Sequence, residues 1–196
     1  MQIEITMENG AVMKGELYPE IAPITVENFK KLADEHFFDG LIFHRVIAGF
    51  MIQGGGYDKN GNHKDCDSIR GEFASNGIQN DLKHDRGVLS MARTMVKDSA
   101  SSQFFIMHQA APHLDGEYAA FGRITEGLDT VDAIAAVPTD FSDCPLEPQV
   151  IASVTVTEKK TSGCMCPFCI LFVTFKGNGL CRSLCYVFRK HFPYSV

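Results

Sequence analysis

The apolar stretches of this chain are short, and most end at glycine, asparagine, aspartate or proline. That punctuation constrains the fold most, because a strand needs only about five or six residues whereas a helix needs ten or more. Residues 2–7 alternate, with Ile3, Ile5 and Met7 on one face and Gln2, Glu4 and Thr6 on the other, as in a half-buried strand. Asn9-Gly10 is a hairpin turn signal. A second strand is expected over Ala11–Tyr18, after which Pro19 and Pro23 break the ladder. Thr25 is expected to cap a helix that carries Val26, Phe29, Leu32 and Ala33 on one face. Phe43–Gln53 reads as two short strands joined by a tight turn at Ala48-Gly49. Gly54–Gly87 lacks periodicity and reads as a long loop. Val88–Ala92, Gln103–Met107 and Ala119–Ile124 are further strands, and Gly127–Val137 is a second helix. In the last strand Val150, Ala152, Val154 and Val156 alternate with Ile151, Ser153, Thr155 and Thr157. About eight strands and two helices in this order predict a mainly β protein, either a sandwich or a closed barrel that leaves no free edge.

Charge and cysteine both divide the chain near residue 160. Of 18 basic residues four lie in 161–196, with none of the 24 acidic ones, which leaves 1–160 at −10 and the tail at +4. Five of the seven cysteines, Cys164, Cys166, Cys169, Cys181 and Cys185, also fall in the tail. The expected organisation is therefore one domain over 1–160 and a Cys-rich basic tail over 161–196. The net charge of −6 and the lack of a basic stripe in 1–160 exclude nucleic acid as the expected partner. No basic segment followed by an apolar one opens the chain, and no run approaches the roughly 20 apolar residues of a membrane span. A cytoplasmic protein is expected, with Cys66 and Cys144 as free thiols.

One segment carries chemistry. Between Phe43 and Gly56 an arginine, Arg45, and a glutamine, Gln53, stand among apolar residues. Arginine keeps its proton and cannot act as a general acid or base, but it presents a fixed fork of donors to a carbonyl or an amide. A cation among Phe43, Phe50 and Met51 is costly unless it lies at the rim of an apolar pocket. No nucleophile elbow accompanies it, and Gly54-Gly55-Gly56 lacks phosphate-loop spacing and reads as a tight turn.

Phe43-His44-Arg45-Val46-Ile47, Gly49-Phe50-Met51-Ile52-Gln53-Gly54-Gly55, Leu89-Ser90-Met91-Ala92, Ser102-Gln103-Phe104-Phe105-Ile106, Leu114-Asp115-Gly116 and Phe121-Gly122 together closely resemble the cyclophilins, in order and in spacing. The resemblance covers roughly residues 1–158 and is closer to bacterial members, from Tyr118-Ala119-Ala120-Phe121-Gly122. It implies a closed eight-stranded antiparallel β-barrel capped by two α-helices. It also implies peptidyl-prolyl cis/trans isomerase activity on unfolded or flexible segments, with no cofactor and no metal. Phe50, Met51, Phe105 and Leu114 would form the proline pocket, with Ala92 on its wall. Arg45 would donate to the prolyl carbonyl and favour the twisted state. Gln53 would bond the substrate backbone and orient Arg45, and Gln103 would line the adjoining channel.

Three positions depart from the family pattern. Arg93 replaces the usual asparagine, which would make the rim more basic. His113 replaces the tryptophan of cyclosporin-sensitive members, so weak cyclosporin binding is expected. Tyr118 replaces a frequent histidine and would pack at the pocket edge. The partners implied are proline-containing peptides and unfolded proteins, bound by a monomer without nucleic acid or, for 1–160, a membrane. The alternative is a non-catalytic proline-peptide binding module or chaperone. His44 is read as a structural histidine, and the H-x-x-C pair His63 and Cys66 as only a weak metal hint. For the tail, zinc binding and docking on an anionic membrane stand beside the favoured reading of a poorly ordered extension.

Overall fold

The computed structural model describes residues 1–158. The expectations for the tail lie outside the described residues. In chain order the elements are β1 (Gln2–Met7), β2 (Val12–Leu17), α1 (Pro23–Asp34), β3 (Leu41–Ile47), β4 (Met51–Asp58), β5 (Val88–Met91), β6 (Phe104–Met107), β7 (Ala120–Glu126), α2 (Leu128–Ala135) and β8 (Ile151–Thr157). The strands form one antiparallel sheet in the order β3-β4-β6-β5-β7-β2-β1-β8. None of the described helices is long and apolar enough to cross a membrane.

The sheet curls, yet it is open rather than closed, which corrects the expected barrel. Its end strands β3 and β8 meet through an isolated bridge, Ile42 to Val150, with the Phe43 amide donating to Gln149 O at 3.0 Å. Further along β3 the Val46 amide donates to Asp143 O at 2.8 Å. A loop residue thus takes a bond of β3 that a closed seam would give to β8.

Two apolar layers form on the two faces of the sheet. The inner layer centres on Phe104, whose ring meets those of Phe29, Phe38 and Phe43 at 5.3, 5.7 and 6.0 Å. Helix α1 supplies Phe29 along with Val26, Leu32 and Ala33, the face expected from their spacing. Helix α2 buries Val131, Ile134 and Ala135, with Leu128 partly buried. The outer layer gathers Met51, Val88, Phe105, Met107, Ala111, Leu114 and Ala120. Strand alternation makes this division, since Phe104 and Ile106 point inward while Phe105 and Met107 point outward.

Two of the sheet's bulges change which way side chains face. In β8 the partner of Thr6 is Ser153 and that of Met7 is Ile151, so Ala152 is the extra residue. Ile151 therefore joins Val154 and Val156 in the core while Ala152 is exposed, contrary to the faces read from the sequence. In β3, Phe43 pairs with Gly54 and Arg45 with Gln53, which leaves His44 as the extra residue. Strict alternation would put Phe43 and Arg45 on one face; the bulge places Phe43 inside and Arg45 outside. The three glycines of β4 are a strand rather than a turn. A Cβ on Gly54 would lie 2.9 Å from Phe43 Cδ1 and from Ile42 O, so the bulged strand needs the missing side chain.

Thr25 does not cap α1. The helix begins at Pro23 after Ala22, with no side-chain cap of its own. The cap comes from Glu72, which is buried. Its carboxylate accepts from the Ile24 amide at 3.1 Å, the Thr25 amide at 2.7 Å and the Thr25 hydroxyl at 2.7 Å. A carboxylate at a helix N-terminus satisfies amides that have no partner within the helix and complements the helix dipole. Glu72→Ala is expected to cost about 2–3 kcal/mol by stranding these buried donors. Urea unfolding with an unchanged m-value is the measurement.

Candidate active site

The outer face carries a cleft of about 200 Å³ lined by Arg45, Phe50, Met51, Gln53, Ala92, Arg93, Phe105, Leu114 and Tyr118. Nine of the eleven residues expected from the sequence therefore line one concavity. The other two lie beside it. Gln103 accepts from Gln53 Nε2 at 3.0 Å, and His113 stacks on Phe50 with ring centroids 5.7 Å apart.

The floor is apolar. Met51 and Phe105 project from the adjacent strands β4 and β6, and Leu114 comes from the single turn Pro112–Leu114. All three are buried. Tyr118 meets Phe105 edge-on at 5.8 Å. Behind Phe105 the His84 ring lies nearly parallel at 6.1 Å. His84 is buried between Asp115 Oδ1, 3.1 Å from its Nδ1, and the Ser90 hydroxyl, 3.0 Å from its Nε2. Burial pushes the His84 imidazole pKa down, against the pull of Asp115. Although the three residues have the types of a hydrolase triad, Ser90 is 0% exposed and no substrate reaches it. They brace the Phe105 ring instead. Leu114-Asp115-Gly116 shows in the sequence only as a turn, and nothing there announces that Asp115 holds His84.

The polar wall comes from the first hairpin. Arg45 and Gln53 are cross-strand partners on the outer face, and the Arg45 side chain is 47% exposed at the rim. Its Nε lies 3.6 Å from Asp143 Oδ2. The Asp140 carboxylate accepts from the amides of Ser142 and Cys144 and so builds a tight loop around Asp143, which adopts φ 62°. Sequence reading missed Asp143, because a carboxylate in a polar loop has no signature until the seam brings it to Arg45.

Arg93 is a largely covered part of the cleft wall. Its guanidinium donates to Glu117 O at 2.9 and 3.1 Å and to Thr94 O at 2.9 Å. It also lies over Phe73 and Tyr118 at 5.0 and 4.7 Å. Only 12% of the side chain is exposed, so this arginine serves as a wall strut whose donors are already bonded to protein groups. On the far side of Gln103, His63 Nε2 is 3.3 Å from the Gln103 amide nitrogen and His63 Nδ1 is 2.6 Å from Asp65. Cys66 packs against the core, and among the described residues no three His, Cys, Asp or Glu side chains are grouped to hold a metal.

The sequence family described as cyclophilin type peptidyl-prolyl cis-trans isomerase matches residues 2–156. The chain belongs to the cyclophilins. A peptidyl-prolyl cis-trans isomerase of Acinetobacter baylyi is 42% identical over 156 residues, covering 75% of this chain and 81% of the relative. Peptidyl-prolyl cis-trans isomerase B of Bacillus subtilis is 47% identical over 123 residues, covering 63% and 82%. Among solved structures, a Cryptosporidium parvum cyclophilin type isomerase, crystallised in the presence of the dipeptide Ala-Pro, aligns with TM-score 0.68 and 30% identity. That alignment covers 81% of this chain and 99% of the other. This cyclophilin is a peptidyl-prolyl cis-trans isomerase.

His44 does not line the cleft. Its Nδ1 has no partner and its ring packs on Tyr57 at 4.7 Å. Burial, reinforced by nearby His63, lowers its pKa from 6.5 to about 4. The unfolded chain therefore binds a proton that the folded chain refuses between these values, so stability must fall as pH drops from about 6.5 to about 4. His84 acts in the same direction. His44→Phe is expected to reduce the acid loss of stability, read from denaturant midpoints at pH 4.5 and pH 7.5.

Proposed function

We propose that the cleft seats the ring of a substrate proline on Met51, Phe105 and Leu114 while Arg45 and Gln53 engage the prolyl peptide unit. The observation that carries the reading is the pairing of a buried apolar floor with a half-exposed guanidinium on the same face of the sheet. The barrier to rotation about an X–Pro bond is set by amide resonance and is about 18–20 kcal/mol. Twisting the bond breaks that resonance and leaves a lone pair on the prolyl nitrogen. Donors already held in place for that state lower the barrier, because they need no reorganisation when it forms. Arg45 donates to the prolyl carbonyl and, in the twisted state, favours the nitrogen lone pair. Gln53 bonds the substrate backbone and holds one side of the bond while the other turns. No proton is transferred and no cofactor is called on.

Ala92, Arg93 and Tyr118 shape the pocket wall, and Gln103 lines the neighbouring channel. His113 stacked on Phe50 leaves no indole donor there, which supports weak cyclosporin binding. The substrates are proline-containing segments of unfolded or flexible proteins, met by a cytoplasmic monomer that assists folding. The isomerase unit is residues 1–160, with 161–196 as a separate tail, as the break in charge and cysteine use supports.

Arg45→Ala is expected to lower kcat/KM on an Ala-Pro peptide by about 10²–10³, measured by NMR exchange, with peptide binding largely kept. Full activity in that variant would remove Arg45 from the mechanism, and an inactive parent would leave the non-catalytic binding module. Asp143 holds the guanidinium from its Nε side and occupies a left-handed backbone region that costs a non-glycine residue about 1 kcal/mol. Asp143→Gly should therefore raise the urea midpoint while slowing isomerisation.

A further inference from the structure

Beyond the two groups that engage the substrate, the side-chain chain continues to the protein surface. Gln53 Nε2 donates to Gln103 Oε1 at 3.0 Å. Gln103 Nε2 faces His63 Nε2 at 3.3 Å, and His63 Nδ1 faces Asp65 Oδ1 at 2.6 Å. We propose that His63, held by Asp65, is a positioning residue that sets the direction of both glutamine amides and makes isomerisation depend on the charge of its ring. The inference rests on the roles of Arg45 and Gln53 given above.

Each link constrains the next. A carboxylate can only accept, so Asp65 keeps the proton on His63 Nδ1. In the neutral ring Nε2 is then an acceptor and takes a hydrogen from the Gln103 amide nitrogen. Gln103 consequently turns its oxygen to Gln53, which donates one amide hydrogen to it. The Gln53 oxygen is left for the side of the cleft where Arg45 lies, its partner across the hairpin. In this state the free end of the Gln53 amide is an acceptor.

Protonation reverses the chain. Nε2 becomes a donor and meets the donor nitrogen of Gln103. Gln103 has little room to swing aside, since its side chain lies flat on β4, where a Cβ on Gly56 would come within 2.5 Å of Gln103 Cγ. The amide must flip, and Gln53 must flip with it or lose its partner. A flipped Gln53 presents its NH2 group to the Arg45 guanidinium, a donor against a cation. The titratable groups that face His63 are Asp65 on its own loop, Tyr57 of β4 at 4.8 Å between ring centroids, and His44 of β3 behind Tyr57. The Gln103 amide bonds Gln53 on one side and His63 on the other and neither of these rings, so the direction of the relay is decided at His63.

The test is kcat/KM on an Ala-Pro peptide by NMR exchange from about pH 5 to 8, the span in which imidazoles change charge, with the full chain and rates scaled to the fraction folded by circular dichroism. The parent is expected to slow by about three- to tenfold toward acid, the worth of one neutral hydrogen bond, with the midpoint of the His63 proton resonances. His63→Gln keeps an acceptor but cannot titrate, so it should hold the neutral rate across the range. His63→Phe, which supplies no acceptor, should be slower at every pH and flat. A His63→Gln variant that falls with the parent's midpoint, or a parent that stays flat while His63 titrates, overturns the relay. Arg45→Ala measured alongside separates the two readings. Should it be as fast as the parent, the site assignment itself fails, whereas a slow Arg45→Ala with an unaltered His63→Gln profile removes the relay alone.

Discussion

The extra residue at His44 is the constraint on which the site depends. A strand gives each side chain to one face or the other, and a regular β3 would send Arg45 to the side of Phe43, into the aromatic interior around Phe104. An unpaired guanidinium there would cost far more than the domain's stability. By inserting one residue, the strand keeps Phe43 in the core and delivers Arg45 to the outer face opposite Gln53. The bulge in turn requires Gly54, because the space of a Cβ at that position is filled by Phe43 and the Ile42 carbonyl. A local break in the ladder is thus what makes the apolar and polar halves of the cleft face the same way.

The sheet then acts as a partition between two packed layers that share strands. Phe104 anchors the interior and its neighbour Phe105 floors the cleft, so one peptide unit ties the core to the cleft. Phe105 is further fixed by the His84 ring behind it and by Tyr118 at its edge. The cleft residues come from several elements far apart in sequence, and each is held by packing or by hydrogen bonds that do not involve the substrate. That is the arrangement preorganised stabilisation requires.

The strands and helices were legible in the sequence from periodicity, and the cleft from the resemblance to the cyclophilins. Alternation over 2–7 marks β1, the spacing of Val26, Phe29, Leu32 and Ala33 marks α1, and the ordered motifs around Arg45, Gln103 and Leu114 assemble the cleft. What periodicity cannot show is where it is broken. The bulges at His44 and Ala152 change faces without changing residue types, so Ile151 and Ala152 exchange the faces that alternation predicts while Val154 and Val156 keep theirs. Long-range caps are equally silent: Thr25 looked like the start of a helix, and the group that caps it lies 47 residues away at Glu72. Arg93 looked like an added surface charge because a sequence does not reveal that its donors are already occupied. The open seam and Asp143 escaped for the same reason, since both depend on where a loop lands.

That seam has a consequence for recognition. An exposed sheet edge invites an extended peptide to bind as a further strand, with affinity drawn from its backbone and selectivity from every second side chain. At Val46, beside Arg45, the amide that would accept such a guest is already bonded to Asp143. A chain entering the cleft cannot align itself to the sheet there. On the reading proposed above, it is held instead by one ring in a pocket and a few side-chain donors. On that reading the enzyme meets its substrates chiefly at one residue, and lets each one go with no ladder to unzip.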